Sequence, residues 1–186
     1  MQPHLTQLGI DEVPQDIRAI YEDFESHMGA VPPLLKILAR RPEYVQLFLS
    51  MRTADQLSSG LSEGDRMLLA AKIAALLHSP YAMQNILERN EMKPAVEERK
   101  LHAIFHNHPE PGLFSHREGL ILDFAQRLQA GGTDAASWGR LHEEFSETDC
   151  LDLLMAACTQ IFFATLSRGA GLTSLDQIEL PEQPES

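Results

Sequence analysis

Cysteine is close to absent from this chain: there are two in 186 residues, Cys150 and Cys158. They stand eight positions apart in one stretch of helical pattern, about 12 Å along a helix axis. That separation is too long for a disulfide within an intact helix. A disulfide framework is therefore excluded, and two unclustered thiols fit a reducing compartment. Positive charge is scarce as well. Fifteen Lys and Arg stand against 27 Asp and Glu, a net charge of −12. Nucleic acid needs clustered cations to neutralise phosphate, and anionic membrane surfaces attract the same groups, so neither partner is expected. Residues 1–10 hold no basic stretch followed by an apolar one, and no signal peptide is expected. The longest apolar-rich run, Cys150 to Leu166, includes Asp152, Thr159 and Gln160. It reads as too short and too polar to span a bilayer. These absences together predict a soluble cytoplasmic protein. Sustained period-two alternation with β-branched residues is also missing, so strands are not expected.

What is present is helical pattern. Ile17, Ile20, Tyr21 and Phe24 recur at helical spacing, and Gly29 ends that run. Pro32-Pro33 and then Pro42 open the next two helices. Ser62-Glu63-Gly64-Asp65 reads as an N-cap with acid in the first turn. The segment after it, Met67 to Leu77, is apolar almost all round, interrupted by Lys72, which marks a central bundle helix. Ser79-Pro80 predicts the cap and start of another helix, and Pro94 the start of one that ends near His106. Ser115-His116-Arg117-Glu118 has the form of a capping box. Gly131-Gly132 closes that helix, and Ser146 offers a cap for a last buried one. The apolar content of 44% suits a chain of this length folding around one core. The expected organisation is a single all-α domain: an N-terminal arm at 1–13, a helical bundle over 14–170 and a flexible tail at 171–186.

Five landmarks occur in a recognisable order. They are Gly29-Ala30-Val31-Pro32-Pro33-Leu34-Leu35, Leu61-Ser62-Glu63-Gly64-Asp65-Arg66, Ser79-Pro80-Tyr81-Ala82-Met83-Gln84-Asn85-Ile86, Phe114-Ser115-His116-Arg117-Glu118 and the cap at Ser146. Over roughly residues 20–170 the chain resembles the alkylhydroperoxidase D-like (carboxymuconolactone decarboxylase) superfamily, in its peroxidase-related branch. The resemblance implies an AhpD-like helical bundle that assembles as a homo-oligomer, a dimer or a multiple of one, with no cofactor. It also implies where a Cys-x-x-Cys-x-x-x-His motif and an upstream glutamate would stand. The two cysteines correspond to Ser79 and Ala82, the histidine to Ile86 and the glutamate to Met67. All four positions have lost their chemistry. Peroxide reduction needs a thiolate to attack the O–O bond and a second thiol to close a disulfide, and neither serine nor alanine supplies one.

Three functional readings follow. The first is a homo-oligomeric binding or scaffold protein without thiol peroxidase activity, with Tyr81, Met83, Asn85 and Phe162 lining a pocket for a small apolar ligand, beside Met67; the same residues also suit plain core. The second is a cysteine-independent acid–base enzyme of decarboxylase or lactone type. His78 would be its base, since its reference pKa lies near neutrality, and Arg66 and Lys72 would be the nearby cations; His78 equally suits a plain helix end. The third is a metal site built on His102 and His106, which are four apart, with His108 and His116 following. No acidic partner is fixed among these histidines, so no metal is assigned.

Overall fold

The apolar run 67–77 becomes the most enclosed element of the chain. In the computed structural model, which describes residues 3–57, 60–108 and 110–173, helix α4 (Glu63–Leu76) buries Met67, Leu68, Leu69, Ala70, Ala71, Ile73 and Ala74. Ser62 caps it: the Asp65 amide donates to the serine hydroxyl, and the Ser62 amide donates back to the Asp65 carboxylate, each at 3.0 Å. The two sides of α4 feed two apolar clusters. Leu69 and Ile73 pack with Leu120, Ile121, Phe124, Phe145 and Leu153. Met67, Leu68, Ala71 and Ala74 pack with Met83, Ile86, Leu101 and Ile104. No strand occurs among the described residues.

Around α4 lie α5 (Pro80–Met92), α6 (Glu98–Phe105), α7 (His116–Gln129), α8 (Ala135–Leu141) and α9 (Glu147–Gly169). Together they make a compact unit over residues 58–168. A second unit comprises 1–57 with 169–172. It holds a 3-10 turn at Ile10–Glu12, then α1 (Gln15–Met28), α2 (Pro33–Leu38) and α3 (Pro42–Leu57). Within this unit residues 4–13 are held in place. The His4 amide donates to the Ala170 carbonyl at 2.9 Å and the Leu8 amide to that of Lys36 at 3.1 Å. The Tyr21 hydroxyl donates to the Leu8 carbonyl at 3.3 Å, and Val13 is buried. Arg52 lies over the Phe24 and Phe48 rings at 5.7 and 5.6 Å. The tail expected at 171–186 falls outside the described residues from 174 onward.

One element boundary differs from the sequence reading. Helix α6 begins at Glu98 rather than at Pro94. The buried Asn90 holds residues 95–96 in a turn: its amide nitrogen donates to the Val96 carbonyl, and its oxygen accepts from the Ala95 and Val96 amides. Helix α9 starts just after the Ser146 cap, as the sequence predicts, through the Ser146–Asp149 capping box, and its 23 residues extend the apolar stretch 150–166 by three at each end. With a mean hydropathy of 1.6 over its apolar window, α9 is long and apolar enough to cross a membrane by length and composition. Cys150, Leu153, Ala156 and Ala157 nonetheless pack into the core cluster of the second unit in chain order.

Candidate functional site at the turn between α4 and α5

Of the four vacated positions, Ser79 and Ala82 stand where α4 hands over to α5, Met67 lies in the second turn of α4 and Ile86 in the middle of α5. Leu77 ends α4, and His78 takes the left-handed conformation, φ 48°. The His78 amide donates to the Ala75 carbonyl and the Ser79 amide to that of Ala74, both at 3.0 Å. This pair of bonds is a Schellman closure, with histidine where glycine is usual. Pro80 then opens α5. Ser79 occupies the N-cap as the sequence predicts, but its hydroxyl caps nothing. The residue is 1% exposed, and its Oγ has no hydrogen-bond partner within the protein. Such an unsatisfied buried hydroxyl costs about 1–3 kcal/mol.

The other vacated positions are filled with hydrocarbon. Met67 and Ile86 are each 2% exposed, and both belong to the cluster that holds Met83, with half-buried Ala82 packed against it.

The acid–base trio does not converge. Arg66 sits in the first turn of α4 and His78 just past the last. Twelve residues separate them, about 18 Å along the axis. The Arg66 guanidinium donates to the Leu61 carbonyl at 2.6 Å. Lys72 is half-buried, and burial pulls its ammonium below the ordinary value. His78 is exposed, and its backbone conformation gives it a structural post at the helix end.

The predicted pocket also divides. Tyr81 and Met83 are buried on α5, and Asn85 is half-buried there. Phe162 lies on α9, where it lines a shallow, open depression with Cys158, Ile161, Thr165 and Leu166 of the same helix. Helical phase separates these residues: Phe162 points outward from α9, 41% exposed, while Met83 points into the core. Among the histidines, His102 and His106 stack, their ring centroids 5.0 Å apart and 13° from parallel. His108 and His116 are exposed. Among the described residues no group of three or more His, Cys, Asp or Glu side chains is placed to hold a metal ion.

Sequence reasoning missed one pair. Cys150 Sγ lies 3.7 Å from His142 Nδ1, an arrangement that elsewhere activates a thiol. Here Cys150 is 2% exposed. Burial first, then the Asp149 and Glu147 charges, push its thiol up, away from thiolate. The eight-residue offset across two helices carries no sequence signal.

No protein-family model and no curated protein matches the chain. Solved structures do. An uncharacterized peroxidase-related protein from Ralstonia eutropha JMP134 with an alkylhydroperoxidase AhpD core superposes at a TM-score of 0.78 with 21% identity, over 94% of this chain and 93% of that one. An uncharacterized peroxidase-related protein from Silicibacter sp. TM1040 gives 0.77 with 18% identity, over 98% and 96%. The debrominase Bmp8, as a cysteine-to-alanine variant in complex with 2,3,4-tribromopyrrole, gives 0.78 with 14% identity, over 95% and 93%. Identities at this level carry architecture and not activity, and the chain has the alkylhydroperoxidase D-like fold.

Proposed function

We propose that this chain is a member of the AhpD-like superfamily that has left thiol peroxidase chemistry behind, and that it works as a soluble, cytoplasmic, homo-oligomeric binding or scaffold protein. One observation carries the reading: Met67 on α4 and Ser79, Ala82 and Ile86 on α5, the positions where the family's chemistry would stand, bring neither a thiol nor a titratable group. Cys150 does not replace them, since burial and two carboxylates keep its thiol protonated. A small apolar ligand is part of the reading. Tribromopyrrole is bound to another protein of this fold, and the buried Ser79 keeps one unpartnered hydroxyl. Self-association is supported by α9, which leaves Leu151, Met155 and Phe162 exposed. The acid–base reading is weakened by the separation of Arg66 from His78 along α4.

The test is hydroperoxide consumption with a dithiol reductant. Consumption is expected to match that of free thiols at equal concentration. Turnover that disappears in Cys150→Ser or Cys158→Ser would overturn the proposal and move the chemistry to α9.

A further inference from the structure

Between Asp149 and Ser167 the exposed residues of α9 are Leu151, Met155, Cys158, Phe162 and Thr165, and no others. Their spacings run four, three, four, three, the repeat by which two helices form a coiled-coil seam. None is charged, although the chain as a whole carries −12. Leu151, Met155 and Phe162 are 57%, 56% and 41% exposed. The open depression lies on the same face. Four of its walls, Cys158, Ile161, Phe162 and Thr165, stand at i, i+3, i+4 and i+7. Four residues in that relation form the hole that receives one knob from a facing helix.

We propose that this face is occupied by α9 of a second copy of the chain, antiparallel, with the two-fold axis passing at Cys158. The proposal rests on the self-association reading above and adds its surface and register. The seam's two ends lie seven residues to either side of its middle residue, so a two-fold there sets Cys158 against Cys158 and Leu151 against Thr165, with Met155 beside Phe162. Met155, unbranched and flexible, becomes the knob for the depression. The ends agree with this direction. Glu147 and Arg168 are exposed at opposite termini of α9, and antiparallel pairing brings each beside the other's opposite charge and opposes the helix dipoles. Parallel pairing would stack Arg168 on Arg168. Two copies with so much negative charge repel over most of their surfaces, which favours contact along an uncharged strip. A lipid surface fits less well, because three carboxylates, Glu147, Asp149 and Asp152, flank the strip against one cation, Arg168. A seam of this length buries on the order of 400–500 Å² per partner, about half of a standard interface, so the contact is expected to be reversible.

The experiment combines light scattering with oxidative crosslinking of the full chain. Diamide takes up the two electrons and two protons released when two thiols become one disulfide. We expect a species larger than the 20.8 kDa chain in solution, persisting in high salt because the contact is apolar. Diamide should trap a covalent dimer that Cys158→Ser abolishes and Cys150→Ser leaves intact. In a Cys158→Ser background, copies carrying Leu151→Cys should crosslink to copies carrying Thr165→Cys. Phe162→Glu, on an exposed side chain that folding tolerates, should weaken association at least about tenfold. An oligomer that gives no Cys158 crosslink and ignores Phe162→Glu would overturn the α9 pairing while leaving self-association in place. A monomer at every concentration would overturn both, and so would a monomer that floats with phosphatidylcholine vesicles.

Discussion

His78 shows how one residue decides between a catalytic and a structural account. It stands in the left-handed region at φ 48°, where a side chain costs about 1–2 kcal/mol and glycine nothing comparable. The closure it makes uses backbone amides only. His78→Gly is therefore expected to leave the fold intact and raise the unfolding free energy by about 1 kcal/mol, read from the urea midpoint at constant m-value. A drop in stability would mean that the imidazole holds something the backbone does not. Asn90 is the contrasting residue. Three hydrogen bonds to the 95–96 backbone pass through its buried amide. Asn90→Ala leaves those groups unsatisfied and is expected to cost about 2–3 kcal/mol by the same measurement.

The turn between α4 and α5 offers a test at the scale of the element. Ser79 and Ala82 are three apart at a helix start, a spacing that falls within the Cα separation a disulfide spans. The double variant Ser79→Cys with Ala82→Cys is expected to lose both new thiols to one intramolecular disulfide under mild oxidant, counted by thiol titration against the parent. Two persistently free thiols would show that the start of α5 is set differently. Helix α7 shows an element whose cap serves two purposes. The Glu118 carboxylate accepts from the Ser115 amide at 2.8 Å, and it pairs with Lys100 Nζ at 2.8 and 2.9 Å. One residue thereby caps α7 and ties it to α6.

Across the second unit in chain order, carboxylates of this kind set the response to acid. Burial pushes the Glu118 carboxyl up, but the hydrogen bonds from Lys100 and Ser115 outweigh it and hold the group below its ordinary 4.5. Asp123 is likewise pushed up by burial and brought below its ordinary 3.8 by Arg127 and Arg140. A depressed folded value means that the unfolded chain binds more protons. The stabilisation is present above the ordinary carboxylate values and is lost as pH falls through the folded ones. Unfolding free energy should be flat near neutrality and decline below about pH 4.5. Glu118→Gln should cost about 1 kcal/mol at pH 7 and flatten the decline. An unchanged acid slope in that variant would remove Glu118 from the account.

The sequence by itself determined what depends on neighbours along the chain. Gly29 takes φ 76° where α1 ends, and Ser115 and Glu118 close the box that starts α7. Met67 to Leu77 is central because its apolar pattern leaves no polar face to expose. The loss of Cys-x-x-Cys-x-x-x-His was likewise written in consecutive residues. Tertiary structure decided what joins distant residues or depends on which way a face turns. Arg117 reaches 52 positions back to buried Asp65 at 3.0 Å, and no local pattern announces that pair. His142, at the end of α8, meets Cys150 on α9 across the turn between the two helices. Arg66, Lys72 and His78 lie close in sequence, yet the rise of a helix keeps the first and last apart. Helix α9 has apolar residues on every side, so its composition predicts burial all round. Packing the core consumed one side and left the other as a seam of five uncharged residues facing outward.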